Sequence, residues 1–365
     1  MPVNQPRSSR SARVVGSWRY VFVVVAVLAL LLLAVSSVSA SAGDNAPEYQ
    51  ACVELCRRKQ CERRVADAVI DIEPLPWYLR LLHWTCPDDC RYHCQHSITA
   101  ARLERGEPVL QYHGKWPFTR ILGMQEPASV LFSLLNGYGH WRYLPRIMER
   151  ISPHYYMRKD LILYAIVGLN IWLWSAVFHV RDTPFTEKLD YFSAGLGILY
   201  GLYLVVRRVW RVRSPLAHLA IVMVCVGCYF AHVTYLTIRP RFDYSYNMAV
   251  CASVGLLHNL VWLGWTIRHY KSRPYAWRAA ALVIYVTFAM SLELFDFAPL
   301  LWILDAHALW HAATVPLVFW WYQFLLLDYE WEMRQMGSQV LLPLIMDGHE
   351  VQVQPLIHGT RKIKD

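Results

Sequence analysis

Charge is scarce in this chain. Only 17% of its 365 residues are Asp, Glu, Lys or Arg, against 56% hydrophobic and 14% aromatic. A soluble domain of this length needs far more charge to cover its surface, which excludes an ordinary water-soluble globular enzyme. Acidic residues are the scarcer kind, 27 against 36 basic ones, giving a formal net charge of +9. A nucleic-acid binder would gather such an excess on one face with exposed aromatics. Here the basic residues fall between apolar runs, and nucleic acid is excluded as a partner. Two hydrolase signatures are also missing. No G-x-S-x-G elbow and no H-E-x-x-H pair occurs, which disfavours a serine triad and a zincin. No internal repeat is evident.

What the chain has instead is apolar length. Arg7, Arg10, Arg13 and Arg19 precede the apolar run 20–35, and small residues, SSVSASA, follow it. This is the pattern of a secretory signal peptide over 1–42, with an A-x-A type cut after Ala42. The run is long for a signal peptide, so an uncleaved anchor helix is the competing reading. In either case the residues after it face the lumen.

Residues 43–125 are polar and hold six of the nine cysteines: Cys52, Cys56, Cys61, Cys86, Cys90 and Cys94. An even count in an oxidising compartment implies three disulfides, and fifteen connectivities are open. The C-x3-C spacings put cysteines one helical turn apart, so two short stapled helices are expected. Zinc is the rival reading, though zinc clusters more often use C-x2-C pairs. Cys225, Cys228 and Cys251 lie in apolar runs and read as buried free thiols.

From about residue 127 the chain becomes a series of stretches near bilayer-spanning length: 127–145, 160–180, 189–206, 215–236, 245–267, 276–295 and 302–327. The first is weakened by Asn136, Gly137, Gly139 and His140. With a lumenal start, the cytosolic loops carry Arg146, Arg150, Arg158 and Lys159, then Arg207, Arg208, Arg211 and Arg213, then Arg268, Lys271, Arg273 and Arg278. The lumenal loops carry only Arg181, Lys188, Arg239 and Arg241. That is the positive-inside bias, and it accounts for the basic excess. The expected fold is an all-α membrane protein. A small disulfide-rich lumenal segment over 43–125 precedes a seven-transmembrane helix bundle over 126–328, and a cytosolic tail covers 329–365.

Ionisable groups inside membrane spans are costly, so each is a functional candidate. The second span ends NIWLWSAVFHVRD, which puts Ser175 and His179 four apart on one helix face. Asp190 opens the third span, and DAHALWHAA places His307 and His311 on one face of the last. All five fall at lumenal helix ends. Three histidines from two helices suit a zinc site that keeps a fourth position for water, and such a metal makes water acidic near neutral pH. Asp190 would accept a proton from that water, and Ser175 would donate to a developing oxyanion. The bland alternative is a set of packing histidines. His218, His232 and His258 read as structural. Glu293, Asp296 and Asp305 read either as groups supporting the site or as wet helix ends.

The stretch QYHGKWPFTRILGMQEPASVLFSLLN, the NIWLWSAVFHVRD segment and DAHALWHAATVP together resemble the post-GPI-attachment remodelling factors. The resemblance runs from the six-cysteine segment to about residue 330. That family is grouped with the alkaline ceramidases and adiponectin/progestin receptors, which share Ser-x3-His, a downstream Asp and a late His-x3-His. Here those positions are Ser175, His179, Asp190, His307 and His311, and the resemblance implies that the three histidines are zinc ligands. It also implies a reaction, removal of the unsaturated sn-2 fatty acid from the lipid of GPI-anchored proteins. The setting would be the Golgi lumen, with the endoplasmic reticulum as the other residence. The alternatives are a ceramidase-like lipid amidase, since the same five residues would serve an amide, and a noncatalytic receptor or chaperone with structural zinc.

Overall fold

The computed structural model describes residues 42–65, 68–71, 75–292 and 296–346. The expected signal peptide, apart from Ala42, and Glu293 lie outside the described residues. Proline opens many of the helices. Pro47, Pro87, Pro127, Pro184 and Pro215 each occupy a first-turn position, where a missing N–H costs nothing because that donor has no partner in the helix.

In the cysteine-rich segment, α1 (Pro47–Cys56) leads through a π-helical turn (Arg57–Cys61) into an antiparallel hairpin, β1 (Glu62–Val65) and β2 (Ala68–Asp71). Short α2 (Trp77–Leu81) and longer α3 (Cys86–Glu104) follow. The expectation of an all-α chain is corrected by this hairpin. The β-branched Val65, Val69 and Ile70 favour extended backbone, and the two strands close their backbone hydrogen bonds on each other. Thr85 caps α3 in a reciprocal box with Asp88. The disulfides are Cys52–Cys94, Cys56–Cys90 and Cys61–Cys86. This nested order is what two antiparallel helices with cysteines one turn apart must give, and it selects one of the fifteen connectivities.

Among the described residues, the helices that follow are α4 (Pro127–Arg150), α5 (Arg158–Val180), α6 (Pro184–Val209), α7 (Pro215–Ile238), α8 (Tyr244–His269), α9 (Trp277–Ser291) and α10 (Ala306–Met346). Four of them, α5 to α8, are long and apolar enough to cross a membrane by length and composition, and α9 is apolar but shorter. The helices match the seven expected stretches in order but not at their ends. α6 begins at Pro184, so Asp190 lies well inside it. α10 begins at Ala306, capped by the Asp305 carboxylate, which accepts from Ala308 N at 2.8 Å, and it runs past the expected boundary at 328.

α10 is the hub of the packing. Tyr322, Leu326 and Tyr329 join Tyr143 and Ile147 of α4, Leu161 of α5 and Leu204 of α6 in one core. Phe324 joins Trp262 and Trp265 of α8 and Val283 of α9 in a second. α7 lies at the edge, with only His232 and Leu236 buried and Met223, Val224 and Phe230 bare. In water such a face would drive association, whereas lipid satisfies it. Cys228 is exposed and Cys225 and Cys251 are half-buried, which corrects the expectation of three buried thiols. They sit on outward or shared faces of helices that protein does not fully cover.

The residues that seemed to break the first stretch are its inner face. Ser129, Ser133, Asn136, Gly139 and His140 of α4 are all buried. A Cβ at Gly139 would come within 2.7 Å of Val318 Cγ1, so glycine there permits α4 and α10 to pack closely. His140 Nδ1 is 2.7 Å from Tyr322 Oη.

α4, α6 and α10 begin, and α5 ends, at one end of the bundle. The cysteine-rich segment is docked there. Gln125 N and Glu126 N donate to Val180 O and His179 O, each at 3.0 Å, and Thr119 N donates to Trp302 O at 2.8 Å. At the opposite end, several arginines expected in loops are inside the fold. Arg207 pairs with Asp160, and Arg208 with Asp328 and Glu332.

Candidate metal centre

Each histidine is fixed by the helix that carries it. His179 sits in the last turn of α5, while His307 and His311 lie one turn apart in the first two turns of α10. Their nearest ligand atoms all lie within 4.8 Å of one another. His179 is 1% exposed and His311 2%. His307 is only partly buried, so the group opens on its side. Aromatic rings close the rest: Trp172 against His311, Phe178 against His179, and Trp310 against both His307 and His311.

Sequence reasoning missed the residues that orient these rings. Glu126, just before α4, lies 2.8 Å from His179 Nδ1 through Oε2. Its carboxylate also pairs with Lys115, and Lys115 reaches Asp182 at 3.2 Å. Burial alone would raise the Glu126 carboxyl, but the Lys115 ammonium and His179 overcome that and hold it well below the usual range. The same attraction from Glu126 and Asp182 keeps Lys115 charged against its burial. An ionised carboxylate can only accept, so His179 must carry its proton on Nδ1. Its Nε2 then presents a lone pair, and that atom faces His307 Nε2 at 3.4 Å. Carboxylate behind imidazole is the usual support of a metal-binding histidine, and a donor set of three clustered imidazoles fits zinc.

Ser133 provides the second support. Its Oγ is 3.0 Å from His311 Nδ1 and 3.0 Å from Ser175 Oγ. Asn136 Nδ2 donates to His311 O at 3.0 Å. The buried Ser175 is therefore joined to the cluster through Ser133, and Asp190 lies in electrostatic range of His307 and Lys115. All five expected residues thus converge at one end of the bundle. Glu126, Lys115, Ser133 and Asn136 join them. A legible signal for Ser133 and Asn136 was their helical spacing with Ser129 and His140; for Glu126 it was an acid at the mouth of an apolar stretch.

The other metal-like group, Cys61, Cys86 and Cys90, is consumed by disulfides. His218 is 2.9 Å from Tyr203 Oη, and Asp305 is a helix cap.

Fold and site together define a helical membrane protein with a disulfide-stapled segment on one end and a buried three-histidine cluster beneath it. The Per1-like family model matches residues 76–329, and the chain belongs to that family. A Xenopus tropicalis relative named GPI-specific phospholipase A2-like PGAP3 is 43% identical over 297 residues, 81% of this chain and 93% of the relative. A Danio rerio protein of the same name is 42% identical, covering 80% and 91%. A Drosophila melanogaster relative named post-GPI attachment to proteins factor 3 is 39% identical, covering 82% and 92%. No solved structure matches the chain.

Proposed function

We propose that this protein is a zinc-dependent ester hydrolase that removes the unsaturated sn-2 fatty acid from the lipid of GPI-anchored proteins. In this reading it crosses the Golgi membrane seven times, with the histidine cluster and the cysteine-rich segment lumenal. The carrying observation is the cluster itself, three imidazoles at the mouth of a membrane bundle with a carboxylate and a hydroxyl set behind two of them. The names of the relatives supply the substrate class. A glycerolipid ester lies near the bilayer interface, at the depth of the helix ends that hold the cluster.

His179, His307 and His311 would hold the zinc. Bound there, it supplies Lewis acidity, lowering the pKa of water and polarising an ester carbonyl. The remaining roles belong to the chain. His311 offers Nε2 when its Nδ1 carries the proton, which Ser133 Oγ can accept, and Ser133 can in turn donate to Ser175. That leaves the Ser175 hydroxyl proton free to point at the substrate, where it stabilises the oxyanion that forms as water adds to the acyl carbon. Asp190 takes the proton of the attacking water and returns it to the glycerol oxygen as the C–O bond breaks. The products are a free fatty acid and a lyso-lipid.

The test is lipid analysis of GPI anchors purified from cells with and without the protein. Cells lacking it should retain the unsaturated sn-2 chain, and re-expression should remove it. Identical anchor lipids in both would refute the assignment.

A further inference from the structure

Between the cysteine-rich segment and the end of the bundle lies a cavity of about 490 Å³, within the size range of small-molecule sites. Both parts of the chain build it. Trp84, Arg91 and Tyr92 come from the α2–α3 region and Arg120 from the strand-like loop after it, while Arg181 comes from the α5–α6 turn. Unlike most ligand pockets its wall is rich in charge, and that charge is held in place. The Arg120 guanidinium lies 3.7 Å from the Tyr92 ring centroid and 4.5 Å from that of Trp84. Arg181 lies 4.0 Å from the Trp84 ring centroid and donates to Asp88 at 2.8 Å. Fixed guanidinium groups beside carboxylates are what a phosphorylated sugar needs. The cations meet the phosphate and the carboxylates accept from hydroxyls.

The cavity is linked to the histidine cluster through one ion pair. Lys115 lines it and pairs with Glu126, which holds His179. Arg181 and Asp182 line it directly after the α5 turn that carries His179. A lipid whose phosphate and sn-2 ester are a few bonds apart can therefore place its headgroup in one and its ester at the other.

We propose that this cavity binds the anionic phospho-sugar headgroup of the lipid substrate and so selects inositol glycolipids over other glycerolipids. The proposal rests on the hydrolase reading, but it can fail separately. The experiment is equilibrium dialysis of the full-length detergent-solubilised protein against radiolabelled glucosaminyl-inositol 1-phosphate, with inorganic phosphate as competitor. Saturable binding is expected, reduced about tenfold or more in Arg91→Gln and Arg181→Gln, because each removes a charge-assisted contact. The half-exposed Arg91 gives a variant that keeps its fold, checked by thermal melting. His311→Ala should bind the probe as the unmodified protein does. Absence of saturable binding, unchanged affinity in both arginine variants, or displacement by phosphate as effective as by the unlabelled phospho-sugar would each overturn the proposal. Binding as expected, with no acyl release from intact lipid, would support the cavity assignment and overturn the hydrolase reading.

Discussion

Replacing Glu126 with Gln is the perturbation that most directly tests whether the histidine cluster is a metal centre. The side chain keeps its shape and can still accept through a neutral oxygen from His179 Nδ1, which lies 2.8 Å from the carboxylate in the unmodified protein. What is lost is the negative charge that fixes the His179 tautomer and strengthens Nε2 as a donor. Changes to such supporting groups cost roughly tenfold to a hundredfold in metal affinity, or about 1.4 to 2.8 kcal/mol. A second effect comes with it. Lys115 loses its nearer partner and keeps only Asp182 at 3.2 Å, so the cost is below the roughly 3 to 5 kcal/mol of an uncompensated buried charge. The two effects separate in the double variant Lys115→Met with Glu126→Gln, which removes both charges. Thermal unfolding should recover in the double variant, while zinc affinity should remain low. The assay is zinc content by mass spectrometry after dialysis against graded chelator, alongside the melting curve. If the Glu126→Gln protein retains zinc at the same chelator concentration as the unmodified protein, Glu126 does not support a metal ligand and the tautomer argument is wrong.

Other outcomes follow from the same geometry. Ser175→Ala should lower acyl release by about two to three orders of magnitude and Asp190→Asn by about two to four. Both should keep zinc, whereas His307→Ala and His311→Ala should lose it; a structural metal would reverse the activity pattern, with only the histidine variants affected. Thiol labelling of intact, unreduced microsomes should leave Cys52 and Cys86 unmodified, since both are in disulfides; cytosol-accessible thiols there would refute the lumenal placement. Arg208→Ala strips Asp328 and Glu332, both buried, of a shared partner but leaves them Arg273 and Arg211, so it should destabilise the protein by less than the roughly 3 to 5 kcal/mol of an uncompensated buried charge. An unchanged melting temperature would show that the network contributes little.

The sequence by itself determined the helices and the identity of the central residues. Long apolar stretches have few ways to satisfy their backbone in lipid, so the four helices long and apolar enough to cross a membrane were legible from composition. Histidines four apart on one helix face are a local property, so His307 with His311, and Ser175 with His179, needed no tertiary information. The cysteine count also announced a stapled segment. Tertiary structure decided what depends on which helix lies beside which. It chose one disulfide pairing, because that depends on α1 and α3 running antiparallel. It turned the polar residues of α4 from apparent interruptions into an inner face against α10. It moved Arg207 and Arg208 from loops into buried ion pairs. Above all it brought Glu126 and Lys115, 53 or more residues before His179, behind its ring. The reason is physical: periodicity records which face a residue occupies on its own helix, but a hydrogen bond across helices is set by packing, and no single-chain pattern encodes it.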